Sequence, residues 1–213
     1  GQTPRGHIHM GVPVSFGVRR IAPLLAQFAA TYPHITLSLD FSDRTSDLID
    51  EAMDLAIRVS AELAPGIVAR RLGSAQLYTV AAPSYLARHG TPQHPSELQQ
   101  HTCLGYSGRA HNRPLQFMVE GKLQSFASPY PLQANNGDAL AQVALQGMGI
   151  AVQPDFIAQE YIDRGALVPI LADFAPPPLG IYAVLPSNRL ISQRQRVVLD
   201  FFAQALAPQG SRA

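Results

Sequence analysis

The sequence predicts an α/β fold arranged as two lobes. Strand-like and helix-like segments alternate along most of the chain, the pattern of strands joined by helical crossovers. Two places punctuate that alternation, Gly73-Ser74 and Pro176-Pro-Pro178. The block after the triple proline is one strand and one helix, and it completes the first block most simply. The first lobe is therefore expected to be discontinuous, residues 1–73 with 176–213, around a second lobe of residues 74–175, with two crossing segments.

Each element has its own signal. His7 to Val12 alternates as a strand, and Pro13 turns it. Ile21, Leu24, Leu25 and Phe28 fall at helical spacing, which predicts a helix from about Ser15 to Tyr32 that Pro33 ends. Ile35 to Phe41 alternates again, Ser42-Asp43 is a turn, Asp47 to Ala52 reads as a short helix, and Leu55 to Val59 as a strand. This βαβαβ run implies a parallel arrangement with right-handed crossovers.

Val68–Leu72 is a further strand candidate, and in the second block Gln76–Ala82 is a strand and Pro83 opens a helix to Arg88. Pro95 to Gln99 is a short helix and Thr102 to Tyr106 a strand. Phe117–Val119 and Leu123–Ala127 form a hairpin around Glu120-Gly121-Lys122. Leu132 to Ala134 is extended, and Asp138 to Leu145 is a helix between Asn136-Gly137 and Gly147. Ile150–Gln153 is a strand, Asp155–Arg164 a helix and Leu167–Leu171 extended. Gly180–Leu185 is a strand, and Gln193–Leu206 is a helix with Val197, Val198, Phe201, Phe202 and Leu206 on its apolar side.

Composition excludes several classes. The 213 residues are 46% hydrophobic and 15% charged, enough for a substantial core and too apolar for a disordered chain. No apolar run reaches the roughly 18 residues of a membrane span. Net charge is +1 with no clustered basic face, so this segment lacks the footprint of a DNA-binding domain. Cys103 is the only cysteine, which rules out an internal disulfide and a multi-cysteine metal site. The start at Gly1-Gln2, without Met or signal pattern, is expected to be a cut inside a longer protein.

Catalytic motifs are missing. Gly105-Tyr-Ser-Gly108 fails the nucleophile-elbow pattern at its last position. There is no phosphate loop and no His-Glu-x-x-His. Gly147-Met-Gly149 follows a helix and precedes a strand, the reverse of a dinucleotide fingerprint, and reads as a helix stop. His7 and His9 share a strand face without a third metal ligand nearby, and Cys103 reads as a buried hydrophobe. Arg70-Arg71 reads as a solvated strand edge, and Asp47, Asp50, Glu51 and Asp54 as a helix face and its exit. No catalytic residue, metal or cofactor is expected.

The turns carry more. Ligands of open α/β sheets bind beyond the carboxyl ends of strands, where helices begin. Pro13-Val14-Ser15-Phe16, Ser42-Asp43 and Asn135-Asn136-Gly137 are three such turns. Helix N–H groups and dipoles there favour an anion, and Ser15, Ser42 and Asn136 add side-chain hydrogen bonds. The same residues also serve as ordinary N-caps.

An ordered set of strings from about His7 to Ala205 resembles the effector-binding domain of LysR-type transcriptional regulators. They are Gly11-Val-Pro-Val-Ser-Phe-Gly17, Leu24-Leu25 through Phe28 to Tyr32-Pro33, Asp54-Leu-Ala-Ile-Arg58 and Val68-Ala-Arg-Arg-Leu72. Ala82-Pro-Ser-Tyr-Leu86 with His89-Gly-Thr-Pro92, Asn135-Asn-Gly-Asp-Ala139, Gln146-Gly-Met-Gly-Ile150 with Pro154, and Gly165-Ala-Leu-Val168 complete the set.

The resemblance implies a periplasmic-binding-protein-like fold, two Rossmann-like lobes joined by two crossing segments, with a small-molecule effector between them. It implies effector contacts at Pro13, Val14, Ser15, Phe16, Ser42 and Asp43 on one side. On the other it implies Tyr106, Asn135, Asn136, Gln153 and Pro154. Arg58 is a candidate cleft charge or a structural ion pair. A DNA-binding helix-turn-helix is expected outside these residues, in a cytoplasmic parent that binds DNA as a homodimer or tetramer. The family's effector domains pair side by side through the helices near Val18–Tyr32 and Asp138–Gln146. The rival class is an extracytoplasmic solute-binding protein of a transporter, which has a similar fold.

Overall fold

In the computed structural model, residues 3–44, 48–49, 51–108 and 113–208 are described. The chain runs β1 (Gly6–Val12), α1 (Val14–Phe16), α2 (Leu25–Thr31), β2 (Ile35–Phe41), β3 (Leu55–Ser60), β4 (Val68–Ala75), β5 (Leu77–Ala81), α3 (Pro83–His89) and β6 (Cys103–Tyr106). It continues with β7 (Leu115–Val119), β8 (Lys122–Phe126), β9 (Leu132–Ala134), α4 (Gly137–Leu145), β10 (Ile150–Pro154), α5 (Asp155–Asp163), β11 (Val168–Ile170), β12 (Leu179–Leu185) and α6 (Gln193–Ala205). These elements form two units, residues 1–75 with 179–213, and residues 76–178.

The first unit is a five-stranded sheet in the order β2-β1-β3-β12-β4. β1 pairs in parallel with β2 and β3, while β12 runs antiparallel to β3 and β4. Alternation along β1 sends Ile8, Met10 and Val12 into the core, all at most 2% exposed. Phe28 of α2 is fully buried, edge-on to Phe201 at 5.1 Å and parallel to Phe202 of α6 at 6.4 Å between ring centroids. Leu48, Met53, Ala56 and Val184 form a separate apolar cluster, backed by Tyr182.

The helix expected from Ser15 to Tyr32 is interrupted. A wide turn over Gly17–Ile21 and a tight one over Ala22–Leu24 separate α1 from α2. Pro23 supplies the reason, because it has no N–H to give the carbonyl four residues back and its ring crowds that carbonyl. The short helix expected at Asp47–Ala52 is a correction. Asp47 and Asp50 lie outside the described residues, and Leu48, Ile49, Glu51 and Ala52 form turns. Ala52 takes φ +53°, and Met53 N–H donates to the Leu48 carbonyl at 2.8 Å.

The second unit carries a mixed sheet, β11-β5-β10-β6-β9, and the separate hairpin β7-β8. β10, β6 and β9 run parallel, whereas β5 opposes β10 and β11. One face of this sheet packs Val80, Leu104 and Ala151 under α4 and α5 through Leu140, Ala144 and Ile157. The other face buries Cys103 and Ile150 against Tyr85, Leu98 and Phe117. The hairpin turns at Glu120 and Gly121, with φ of +52° and +76°, the twist that two-residue hairpins favour.

Two histidines give the units opposite responses to pH. His9 Nε2 meets Asp40 at 2.6 Å, and that hydrogen bond raises its pKa, with Ala52 O and the charges of Asp40 and Asp54 adding to it against a smaller burial penalty. A raised folded pKa stabilises below about pH 6.5, and the contribution is lost as pH rises through the folded value. His101 is shifted down, first by burial and then by His89, partly offset by Glu97, and its Nδ1 lies 2.7 Å from Tyr85 Oη. It stabilises above about pH 6.5, and that contribution declines as pH falls towards its lowered value. Melting profiles from pH 5 to 8 should flatten on the alkaline side in His9→Gln and on the acid side in His101→Gln. Unchanged profiles in both variants would contradict these assignments.

Candidate functional site

In the first unit, six of the candidate residues gather at the paired carboxyl ends of β1 and β2, where Val12 lies opposite Phe41. Ser42 N–H donates to the Val12 carbonyl at 2.9 Å and holds the two turns together. Pro13, in extended conformation, precedes α1. Val14 N–H donates to Asp43 Oδ1 at 3.0 Å, so the start of the helix is capped by a carboxylate 29 residues further along the chain. Ser42 Oγ accepts from Arg44 N–H at 3.1 Å and closes its own turn instead of capping a helix. This corrects the expectation that Ser42-Asp43 leads a helix, since none follows among the described residues.

Ser15 is also placed differently from an N-cap, lying inside the first turn of α1. Its residue is 7% exposed, beside Phe16 at 1%, and its buried Oγ has no hydrogen-bond partner among the described residues. Burying an unpaired hydroxyl costs free energy, and such groups collect where a ligand completes them. Gly17 makes the close packing possible, because a Cβ there would lie 2.7 Å from Val12 Cγ2 and 2.8 Å from Phe41 Cε1. Phe41 keeps 43% of its surface exposed. Arg58 is half-buried on β3 opposite Tyr182, on the sheet face that carries Ala56.

In the second unit, β9, β6 and β10 end together. Tyr106 pairs with Ala134, and Cys103 with Ile150, which puts Gln153 level with Tyr106. The residues that follow are Asn135-Asn136 and Pro154. Asn136 is a true N-cap, its Oδ1 accepting from Ala139 N–H at 2.9 Å. Asn135 is exposed, Tyr106 is 53% exposed, and Pro154 precedes α5 in extended conformation. Gln153 is 1% exposed, and its Oε1 has no partner among the described residues. A Cβ on Gly137 would lie 3.4 Å from that oxygen and 2.6 Å from Ile157 Cδ1. The oxygen is therefore buried against the first residue of α4.

Sequence reasoning missed one member of this group. Asp155 Oδ2 accepts from Gln76 N–H at 3.1 Å, whereas its buried Oδ1 is unpartnered. Its place after Pro154, at a strand-to-helix junction, was the available signal. Four buried side-chain polar atoms lack partners among the described residues, and three of them, on Ser15, Gln153 and Asp155, lie at these two strand-end groups. The fourth, Thr79 Oγ1, is on the opposite sheet face of the second unit from Gln153. No group of three or more His, Cys, Asp or Glu able to hold a metal occurs among the described residues. No helix there is long and apolar enough to cross a membrane.

Comparison with known proteins is consistent along the chain. The model of the LysR substrate binding domain matches residues 1–207. An HTH-type transcriptional regulator of Xanthomonas campestris pv. campestris is 35% identical over 207 residues, 95% of this chain and 60% of its own length. The HTH-type transcriptional regulator CrgA of Neisseria meningitidis is 33% identical over 210 residues, 96% of this chain and 69% of its own. The solved CrgA regulatory domain superposes with a TM-score of 0.82 at 32% identity, covering 95% of this chain and all of that one. The full-length Vibrio cholerae virulence activator AphB gives 0.80 at 26% identity, over 95% of this chain and 69% of its own. The chain thus spans about 60 to 69% of the length of these regulators. This chain belongs to the LysR substrate-binding domain family and has its periplasmic-binding-protein-like fold.

Proposed function

We propose that this chain is the effector-sensing part of a DNA-binding transcriptional regulator, not an enzyme. In this reading the effector is a small molecule bearing an anionic group, with Pro13–Phe16 and Ser42-Asp43 as candidate contacts in the first unit and Tyr106, Asn135-Asn136 and Gln153-Pro154 as candidate contacts in the second. The parent acts in the cytoplasm as a homodimer or tetramer and reaches DNA through a helix-turn-helix outside residues 1–213. The observation that carries the reading is the buried, unpartnered Ser15 hydroxyl at a strand-end turn of a LysR-family domain. The regulators among its relatives favour it over a transporter's solute-binding protein.

The mechanism is a population shift. An effector that binds one arrangement of the domain more tightly favours that arrangement, and the change in oligomer geometry alters DNA binding by the same free energy. A melting screen of small carboxylates, amino acids and aromatic acids tests the reading. A specific compound at 100 times its Kd adds about 2.7 kcal/mol of stability. Ser15→Ala and Asn136→Ala should each weaken its binding about tenfold in a folded protein. Asn136→Ala also loses the α4 cap, at about 1 kcal/mol. Unchanged affinity in both variants would overturn the site.

A further inference from the structure

Residues 94–102 of the second unit are held at each end by an imidazole that acts as an acceptor. At the front, His94 Nδ1 accepts from Ser96 N–H at 3.1 Å and caps the tight helical turn Pro95–Gln100. At the back, Thr102 N–H donates to Tyr85 Oη at 3.1 Å, and that hydroxyl lies 2.7 Å from His101 Nδ1. Tyr85 is 1% exposed, and its own proton goes to His101 Nδ1, since Thr102 already supplies the other bond. Burial lowers the His101 pKa, with His89 adding to the shift and Glu97 opposing it, so the neutral ring that this bonding needs is also the favoured one. An imidazolium has no acceptor nitrogen. Protonation at His94 strips the cap from Ser96 N–H, and protonation at His101 leaves the buried Tyr85 proton without its acceptor.

The stretch between these ends covers apolar core. Leu98 is fully buried in one cluster with Tyr85, Phe117 and Cys103, and its carbonyl accepts from Ser128 Oγ at 3.1 Å. The charged surroundings are few. α3 contributes Tyr85 and His89 beside His101, while its Arg88 is bound to the Gly147 carbonyl at 2.8 Å. Glu97, within the stretch, accepts from Gln93 N–H at 3.0 Å and acts on His101 through its charge. The His94 ring lies edge-on to Phe174 at 5.0 Å and to Phe126 of β8 at 6.2 Å, and the charged residues of those two segments are Asp173 and Lys122.

We propose that residues 94–102 form a pH-sensitive latch: acid protonates His94 and His101, both ends let go, and the buried face that carries Pro95 and Leu98 opens. The device lies wholly within the second unit and needs no ligand, so it stands apart from the effector reading above. Its output is an apolar surface that the unit hides at neutral pH and presents in acid.

Cys103, the only cysteine and fully buried in the Leu98 cluster, reports the opening. Its labelling by 4,4′-dithiodipyridine forms a mixed disulfide and releases 4-thiopyridone, and each rate is divided by that of glutathione at the same pH to remove the chemistry of the thiol itself. The normalised rate in the wild-type chain should rise at least about tenfold from pH 7.5 to 5.5, the interval in which an imidazole of ordinary pKa, about 6.5, gains its proton. His94→Asp keeps a cap that does not titrate in that interval, and His101→Gln keeps an acceptor for Tyr85. Each should reduce the rise, and the double variant should leave less than about twofold. Adding 1 M urea should change the wild-type rates less than about twofold, because local opening exposes little surface, whereas labelling through global unfolding would rise about tenfold or more. A wild-type rate that does not change with pH overturns the latch without any variant. A rise that persists in the double variant overturns the assignment to these histidines. A urea dependence as steep as that of global unfolding overturns the local opening.

Discussion

Ser15→Ala is expected to raise the melting temperature of the unliganded chain by about 2–4 °C while weakening its effector about tenfold. Most substitutions at a position 7% exposed destabilise. This one differs because the atom removed is buried and has no partner among the described residues. Such an atom keeps its desolvation penalty of about 1–3 kcal/mol without a hydrogen bond to offset it. Ser→Ala removes one oxygen and leaves the backbone of the turn intact. A net gain of about 1 kcal/mol corresponds to about 2–4 °C for a protein of 150–250 residues. Stability and function then trade against each other, as expected where buried polar atoms are kept for a ligand. Melting curves with and without the best compound of the screen read both effects at once. A fall in melting temperature would show that this atom already has a partner.

Phe28→Ala is expected to destabilise the first unit by about 3–5 kcal/mol, the cost of emptying a filled aromatic site. Phe28 is fully buried, and its ring lies 5.2 Å from Tyr32, 5.1 Å from Phe201 and 6.4 Å from Phe202. It joins α2 to α6, elements separated by most of the chain, so the cavity opens at the contact that closes a discontinuous unit. Phe28→Leu should recover more than half of the loss by refilling volume. Denaturant midpoints of the three proteins test this, and a loss below about 1 kcal/mol for Phe28→Ala would show that the pair of helices is not held there.

How far the sequence could be read follows from the range of the interaction involved. β2 and β9 occupy the expected residues, Ile35–Phe41 and Leu132–Ala134, because alternation and flanking turns are local signals. The hairpin at Glu120-Gly121 and the Asn136 cap were legible for the same reason. The break between α1 and α2 was signalled by Pro23 but masked by the apolar spacing around it. Ser15 was legible as a residue of the turn, but the source of the cap was not, since it comes from Asp43, across a loop that no periodicity encodes. The Asp155 carboxylate was read only as the start of a helix. Nor could spacing show that Gln153 is buried without a partner for its oxygen, because that depends on how α4 and α5 pack on β10.

The central claim is that the chain recognises a small-molecule effector at the strand-end turn that holds Ser15. Hydrogen exchange with and without the tightest-binding compound of the melting screen tests it most directly. Slowed exchange is expected at the amides of residues 14–17 and 42–44, with Ser15→Ala removing that protection. Protection located only elsewhere on the chain would contradict the claim.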